Sequence, residues 1–300
     1  MSKKNYFKEE NYNSPWIESP FFYEILKKKK KTNFFKKLAT DFHKNGYVII
    51  DLKLNKRFIN RILDDIDQKL KSEEGVKKNP SIYHYNESPR IVEAWKFSSQ
   101  IAHLAYNKKI INLLSFFYNK KPVPISTINF IKGTEQPMHS DYMHFASTPE
   151  KFLAGAWVAL EDTNKFNGPL TVVPKSHTLP VTDFNMLNCS KPDSITSLEK
   201  NYRIYESFVK KIIKVHNLKL KEIYIPKGHA IIWAANLLHG GTRTLNRNLT
   251  RKSQVIHYHF SGCKRYYNPC FSIPNEGLYA IRKLEIVKLK RLKNEQNKNF

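Results

Sequence analysis

The second half of this chain is written in short apolar runs. From residue 122 onward they recur as "VPISTINFIKG", "FLAGAWVALED", "GPLTVVPKS", "KEIYIPKG", "HAIIWAANLLHGG" and "RKSQVIHYHF", each closed by Gly, Pro, Asn or Ser. None is long enough for a stable helix, and the punctuation is that of turns. Such a series folds as strands of a sandwich or barrel, which encloses a concave interior suited to a small molecule. The interval 181–218 interrupts the series with a helical or irregular insertion.

The first half reads differently. Residues 1–37 are polar and sprinkled with aromatics, and they end in the lysine run 27–31. We expect them to be an extension. A regular domain then spans 38–270. It opens with a helix, a turn at Gly46 and the short β-rich run "YVII". An amphipathic helix follows, with Phe58, Ile62 and Ile66 on one stripe. A polar loop through "GVKKNPSIYHYNESPR" leads to a second helical stretch, "RIVEAWKFSSQIAHLAYNKKIINLLSFFYN". Residues 271–300 form a basic tail in which a helix is expected from 277, "GLYAIRKLEIVKLKRLKN". The fold class is thus α+β, with helices supporting a β core.

Charge and cysteine content narrow the function. Lys and Arg number 51 against 26 Asp and Glu, a net charge of +25. Nucleic-acid binding is the usual reading of such a charge. Here it is spread through a chain also rich in Asn, Ile, Tyr and Phe, as compositional drift produces. Zinc-finger spacing, a phosphate loop and an RNA-binding aromatic signature are absent from the sequence. A partner nucleic acid is therefore not expected, although a non-catalytic basic binding or scaffold protein is the alternative to an enzyme. No run approaches the roughly 18 apolar residues of a membrane span. The start carries no apolar secretory core. Three cysteines, Cys189, Cys263 and Cys270, form no Cys-x-x-Cys pair. A reduced, cytoplasmic protein is the expectation.

The chemistry-bearing stretch is "PMHSDYMHF", residues 137–145. A His-x-Asp pair on extended chain projects both side chains to one face. Two imidazoles and one carboxylate on one face of a metal, with other positions open, are what a non-haem Fe(II) oxygenase requires. His139 and Asp141 supply two of the three. His239, before Gly240-Gly241, is the candidate for the third. A 2-oxoglutarate cosubstrate also needs an anchor for its distal carboxylate, and the planar fork of Arg suits it. Arg251 opens the last long strand, while Arg243 and Arg247 sit in a turn and are weaker candidates.

With these motifs in this order, the chain resembles the phytanoyl-CoA dioxygenase family of Fe(II)/2-oxoglutarate oxygenases. The likeness spans roughly 38–270: "FHKNGYVII", the "HSD" pair, "WVALEDTNKFNGPLTVVPKSH", and "KGHAIIWAANLLHGG" through "TRKSQVIHYHF". It implies a double-stranded β-helix (jelly-roll) core. It implies iron on His139, Asp141 and His239, with 2-oxoglutarate on Arg251 and O2 as co-reactant. Trp157 matches a tryptophan beside the cosubstrate, and Asn129 matches a position that contacts it. Relatives carry Ser or Thr two residues past the distal histidine, where this chain has Gly241. The resemblance implies hydroxylation of a small or medium-sized metabolite, and the positive charge suits an anionic one. Asp141 favours hydroxylation over halogenation, because related halogenases lack that carboxylate.

The remaining polar residues have plainer readings beside functional ones. His177, in "PKSH", reads as part of a structural turn, with Lys175 where relatives carry Gly. Tyr142, His144 and Phe145 follow the metal pair and are candidates to line the substrate pocket. His257 and His259 alternate on one strand and read as packing or supporting residues. Tyr83, Tyr85 and Arg90 lie in a polar, aromatic loop of the kind that covers a site.

Overall fold

Side chains on a strand alternate between two faces, and in this chain the alternation separates one apolar set from another. The structure, a computed structural model, describes residues 8, 12–72, 82–85, 88–283 and 285–289; for 82–85 and 88 it describes the backbone only. The larger sheet has seven strands. In order across it they are β1 (Tyr47–Asp51), β9 (His229–Ala234), β6 (Leu153–Ala159), β11 (Ser253–Phe260), β4 (Pro122–Phe130), β3 (Ser88–Val92) and β2 (Ile82–Tyr85), every neighbouring pair antiparallel. A smaller sheet faces it, made of β10 (His239–Gly241), β7 (Leu170–Val172) and β8 (Lys221–Ile223). A two-stranded ribbon joins β5 (Ala146–Thr148) to β12 (Arg265–Tyr267). This is the expected double-stranded β-helix core in an α+β fold.

The two faces of the large sheet do different work. Ala154, Ala156, Val158, Ala230, Ile232, Ala234, Ile256 and Tyr258 point to the helices and join the main core. Trp157, Ala159, Ile231, Trp233 and Val255 point the other way, against Leu170, Val172 and Ile223 of the small sheet. The first face is small and flat, so helices pack closely on it. The second is lined by large rings, and the candidate site lies there.

Each supporting helix has a local cause. α3 (Lys56–Lys71) buries Phe58, Ile59, Ile62 and Ile66, and the Asn55 side chain accepts from Phe58 N–H at its start. α2 (Asn33–Asn45) is capped by Thr32 and ends at Gly46. Gly46 has φ 81°, which glycine adopts without strain, and turns the chain directly into β1. The insertion holds α6 (Ile195–Val215), with a Ser194–Ser197 capping box; it buries Tyr205 and Val209 over Phe184 and Leu238.

Three expectations need correction. The stretch 1–37 is not a separate extension along its described part. Trp16, Ile17, Phe22 and Ile25 are buried in the main core, and Trp16 Nε1 donates to Phe116 O at 2.8 Å. The segment that carries them, a one-turn helix and α1 (Phe22–Lys28), is too short to show a readable period. The polar loop and the start of the second helical stretch contain the β2–β3 hairpin. The helical part proper is two helices, α4 (Ser99–Ala105) and α5 (Lys108–Tyr118), divided where Asn107 caps the second.

The helix expected from 277 is absent over the described residues. Its backbone finds other partners: Ile281 bridges Tyr267, Arg282 N–H donates to Tyr266 O, and Val287 N–H donates to Pro124 O. Val287 is buried in the main core, and Tyr106 Oη donates to its carbonyl at 2.8 Å. These tertiary partners outweigh helix propensity, a weak local preference. The rest of the expected helix, 290–300, lies outside the described residues. No helix among the described residues is long and apolar enough to cross a membrane, and all three cysteines are free thiols.

The anchoring of the tail has a measurable consequence. Val287→Ala removes two buried methyl groups, at about 0.8 kcal/mol each. It should lower Tm by roughly 2–4 °C per kcal/mol. An unchanged melting curve would mean that the tail does not pack as described.

Candidate metal centre

The segment before β5 and the strand β10 are tied together by their backbones. His139 N–H donates to His239 O at 2.9 Å, and His239 N–H donates to His139 O at 2.9 Å. A reciprocal pair of this kind sets two residues directly opposite each other. Their ring centroids stand 4.5 Å apart. Ser140 is extended and buried, and its N–H donates to the Tyr205 hydroxyl at 3.0 Å. Asp141, two residues on from His139, therefore points to the same side as that histidine.

The three side chains converge. Ligand atoms of His139, Asp141 and His239 all lie within 4.8 Å of one another. Each imidazole hydrogen-bonds through Nδ1 to the carbonyl two residues before it, His139 to Pro137 at 2.8 Å and His239 to Leu237 at 2.9 Å. That contact makes Nδ1 the donor and leaves Nε2 with a lone pair for a metal. Asp141 Oδ2 accepts from Trp233 Nε1–H at 2.7 Å, which leaves Oδ1 facing the histidines. His239 Nε2 is 3.6 Å and His257 Nε2 3.4 Å from Oδ1.

Protonation agrees with this arrangement. Burial, helped by the neighbouring His239, pushes His139 down to about 3, so its ring is neutral near pH 7. Burial by itself would raise the Asp141 carboxyl. The imidazoles of His257 and His239 overcome it and hold the group well below the usual carboxylate range. A neutral imidazole beside an ionised carboxylate is the donor set of an Fe(II) facial triad.

Arg251 stands in the same cavity at the entry to β11. It is 2% exposed, and burial draws its guanidinium down to about 10, still charged at neutral pH. Nη1–H donates to Gly168 O at 2.8 Å, while Nε is buried with no partner. Among the described residues no carboxylate pairs with it. A buried guanidinium in that state fits an incoming carboxylate. Its guanidinium carbon lies 5.3 Å from the centre of the Trp157 ring, and Trp157 also lines the cavity. Arg243 and Arg247 are exposed.

Other expected residues separate. Asn129 is fully buried but turned away from the cavity. Ile128 and Phe130, on either side of it, line the cavity, so parity sends Asn129 to the opposite face with Gln254. This corrects the expected cosubstrate contact. His144 and Phe145 line the cavity; Tyr142 instead meets the Tyr267 hydroxyl at 3.1 Å. His177 is buried in a turn against His43 O, and Lys175 takes the left-handed conformation there at φ 72°. His257 lines the cavity beside Asp141, and His259 packs against Tyr266. The side chains of Tyr83 and Tyr85 lie outside those described.

Gly241 has a steric explanation. A Cβ at Gly240 would stand 2.7 Å from Gln136 O, and one at Gly241 2.8 Å from Glu135 N. The irregular segment leading into His139 runs too close for any side chain, so a hydroxyl-bearing residue has no room here.

Sequence reasoning missed Trp233. It lies opposite Gly155 on the neighbouring strand, where a Cβ would fall 2.3 Å from its indole. Gly155 thus makes room for the ring that holds Asp141. The available signal was its two-residue spacing from Ile231, which places both on the inner face.

Comparison with known proteins agrees with this geometry. The sequence profile of the phytanoyl-CoA dioxygenase family matches residues 42–253, most of the chain. The chain belongs to the phytanoyl-CoA dioxygenase family. It is accordingly an Fe(II)/2-oxoglutarate-dependent dioxygenase. It is 24% identical over 254 residues to a probable phytanoyl-CoA dioxygenase of Caenorhabditis elegans, covering 76% of each. It is 26% identical over 133 residues to the peroxisomal phytanoyl-CoA dioxygenase of Rattus norvegicus, a match spanning 36% of that protein's length. Among solved structures, EctD from S. alaskensis with 2-oxoglutarate and 5-hydroxyectoine superposes with TM-score 0.62 at 19% identity, over 86% of this chain and 88% of that one. The non-haem α-ketoglutarate-dependent epimerase SnoN from nogalamycin biosynthesis gives TM-score 0.59 at 17% identity, over 83% and 93%. These structural likenesses are likenesses of fold.

Trp233→Phe keeps an aromatic, though smaller, ring at this buried position and removes the N–H that orients Asp141. Loss of such a support typically lowers metal affinity by roughly 10–100-fold. Fe(II) titration of the folded variant, followed by the fluorescence of the remaining tryptophans, should show that drop; the smaller ring also leaves a cavity and lowers Tm. Gly155→Ala should destabilise the fold by about 1–3 kcal/mol through overpacking, readable by thermal unfolding.

Proposed function

We propose that this enzyme hydroxylates a small or medium-sized, anionic metabolite, with His139, Asp141 and His239 holding Fe(II). Arg251 takes the distal carboxylate of 2-oxoglutarate, and Trp157 flanks it. The observation that carries this reading is the joint placement of two imidazoles whose Nδ1 atoms are held by backbone carbonyls, one ionised carboxylate and a buried, carboxylate-free guanidinium in one cavity. The free thiols fit a reducing compartment such as the cytoplasm.

When bound, iron and 2-oxoglutarate supply the oxidative decarboxylation that directs one oxygen atom of O2 to a C–H bond. The protein's own residues bind and orient. Arg251 can offer two parallel N–H groups to a carboxylate and so set which end of the cosubstrate faces the histidines. Trp157, Trp233 and Leu170 wall the cavity with apolar surface and limit water. His257 lies against Asp141 on the side of Phe145, where its stacked ring defines the border of the substrate space. The cavity holds about 230 Å³, less than the ~300–1,000 Å³ of ordinary small-molecule sites. The cosubstrate and the reacting end of the substrate share it, while the rest of the substrate extends outward.

Anaerobic addition of Fe(II) and 2-oxoglutarate should give a weak visible charge-transfer band. His139→Ala should abolish it. Arg251→Ala should raise the 2-oxoglutarate Kd by about tenfold or more, since a charge-assisted bidentate pair is lost. A folded, iron-loaded protein without the band would refute the assignment and favour a basic binding protein.

The α-ketoglutarate-dependent epimerase and carbocyclase of nogalamycin biosynthesis share this fold. Product mass separates those outcomes from ours. Hydroxylation adds one oxygen atom, drawn from 18O2; epimerisation leaves the mass unchanged; ring closure removes two hydrogens.

A further inference from the structure

Three imidazoles stand around Asp141, and they do not carry their protons alike. In His139 and His239 the Nδ1 atom donates to a carbonyl two residues back, so Nε2 keeps its lone pair. His257 is the third. Its Nε2 lies 3.4 Å from Asp141 Oδ1, nearer than the 3.6 Å of His239 Nε2. Its Nδ1 is buried and has no hydrogen-bond partner among the described residues. A proton on Nδ1 would be a buried donor left unpaired, whereas a proton on Nε2 faces a carboxylate oxygen. The ring proton therefore belongs on Nε2. His257 has the opposite tautomer to the two ligands and meets the centre as a donor.

The large sheet prepares this contact. Gly155 on β6 stands opposite Trp233 on β9 and opposite His257 on β11, so the three residues form one row across the sheet. Residues directly opposite each other share a face. Gly155 leaves a gap in the row, and the Trp233 indole leans into it: a Cβ on Gly155 would lie 2.5 Å from Nε1. From one side of the gap Trp233 Nε1–H donates to Asp141 Oδ2 at 2.7 Å; from the other, His257 Nε2 faces Oδ1. Strands two apart in a sheet are roughly 9–10 Å from each other, a span that one carboxylate and two ring N–H groups can bridge.

The His257 ring is itself held. It stacks on Phe145 with centroids 4.6 Å apart and planes 27° apart. Phe145 also carries the guanidinium of Arg282, 4.5 Å from its ring centre. Arg282 comes from the tail, where its backbone N–H donates to Tyr266 O, and it lines the cavity along with His257. A ring clamped on its face keeps the direction of its N–H.

We propose that His257 is a positioning residue of the metal centre: its Nε2–H holds Oδ1 of Asp141 while Trp233 holds Oδ2, so the carboxylate turns a single oxygen toward the metal. The proposal rests on the oxygenase reading and adds a residue to it. Each carboxylate oxygen has two acceptor sites, so Oδ1 can take the His257 proton and still present a lone pair. A grip on both oxygens opposes the rotation that would present the two together, and a facial triad needs its remaining positions open.

Two measurements on the full chain test this. In protein loaded with Zn(II), which stands in for Fe(II) without paramagnetism, 15N NMR of the imidazoles should find Nδ1 protonated in His139 and His239 and Nε2 protonated in His257. The His257 signals are identified by their loss in His257→Gln. Mn(II) binding, followed by the EPR signal of the free ion, supplies the second. His257→Phe keeps a ring for Phe145 to stack on and should raise the Mn(II) Kd by about 10–100-fold. His257→Gln sets an N–H donor near the place of Nε2 and should recover most of the loss. His257→Asn, whose donor reaches only the place of Nδ1, should not. A merely structural role would let Gln and Asn behave alike, with affinity following Tm. A proton on Nδ1 of His257, an Nε2 bound to the metal, or equal Mn(II) affinity in the Gln and Asn variants would overturn the proposal, and these outcomes can be read even where His257→Phe does not fold. An unmodified protein that binds neither Zn(II) nor Mn(II) would instead sink the reading of the metal centre.

Discussion

Two backbone hydrogen bonds, given and returned between His139 and His239, hold together segments 100 residues apart in sequence. The rest of the site depends on them. They place both imidazoles on one edge of the small sheet, and they require Gly240 and Gly241 to let the neighbouring backbone approach. Side-chain ligands alone would leave each ring free to turn. Here each ring is fixed by a backbone pairing and by an Nδ1 contact to a carbonyl two residues back. Pre-set orientation of this kind lets a site bind metal without first ordering its ligands.

Strand parity then fills the cavity from the opposite sheet. Along the last long strand and its entry, Arg251, Val255 and His257 face inward in sequence, from the cosubstrate anchor to the border of the substrate space. Gln254, Ile256 and Tyr258 face the helices, where Gln254 and Tyr258 bond to carbonyls of α4. One strand thus serves as floor of the site and roof of the core. A one-residue slip would exchange these roles completely. The large packed face behind it, dominated by Ala on β6 and β9, holds that register.

Much of this was legible in residues. The punctuated apolar runs gave the β core, and the His-x-Asp pair with a distant His-Gly-Gly gave the centre, because those residue types have few other reasons to occur in that order. The failures were of two kinds. Asn129 was misplaced because its face depends on counting from Ile128 and Phe130, whose burial the sequence does not state. The tail was read as a helix because Leu, Ile and Val recur along it at near-helical intervals. In the structure Ile281 and Leu289 are exposed, and among the described residues from 277 onward Val287 alone is buried. Trp233 and Arg282 were overlooked because neither belongs to a local motif.

The sequence by itself determined the local terms: which runs alternate, where glycine must turn or yield space, which side chains can ligate iron or grip a carboxylate. Periodicity and side-chain chemistry are properties of neighbouring residues, so a linear string carries them. Only the tertiary structure decided which strands share an edge, which ring supports Asp141, and that the end of the chain contributes a cation to the cavity. Those outcomes are set by competition among distant partners for the same backbone hydrogen bonds and the same buried space, and no short stretch of sequence records who wins.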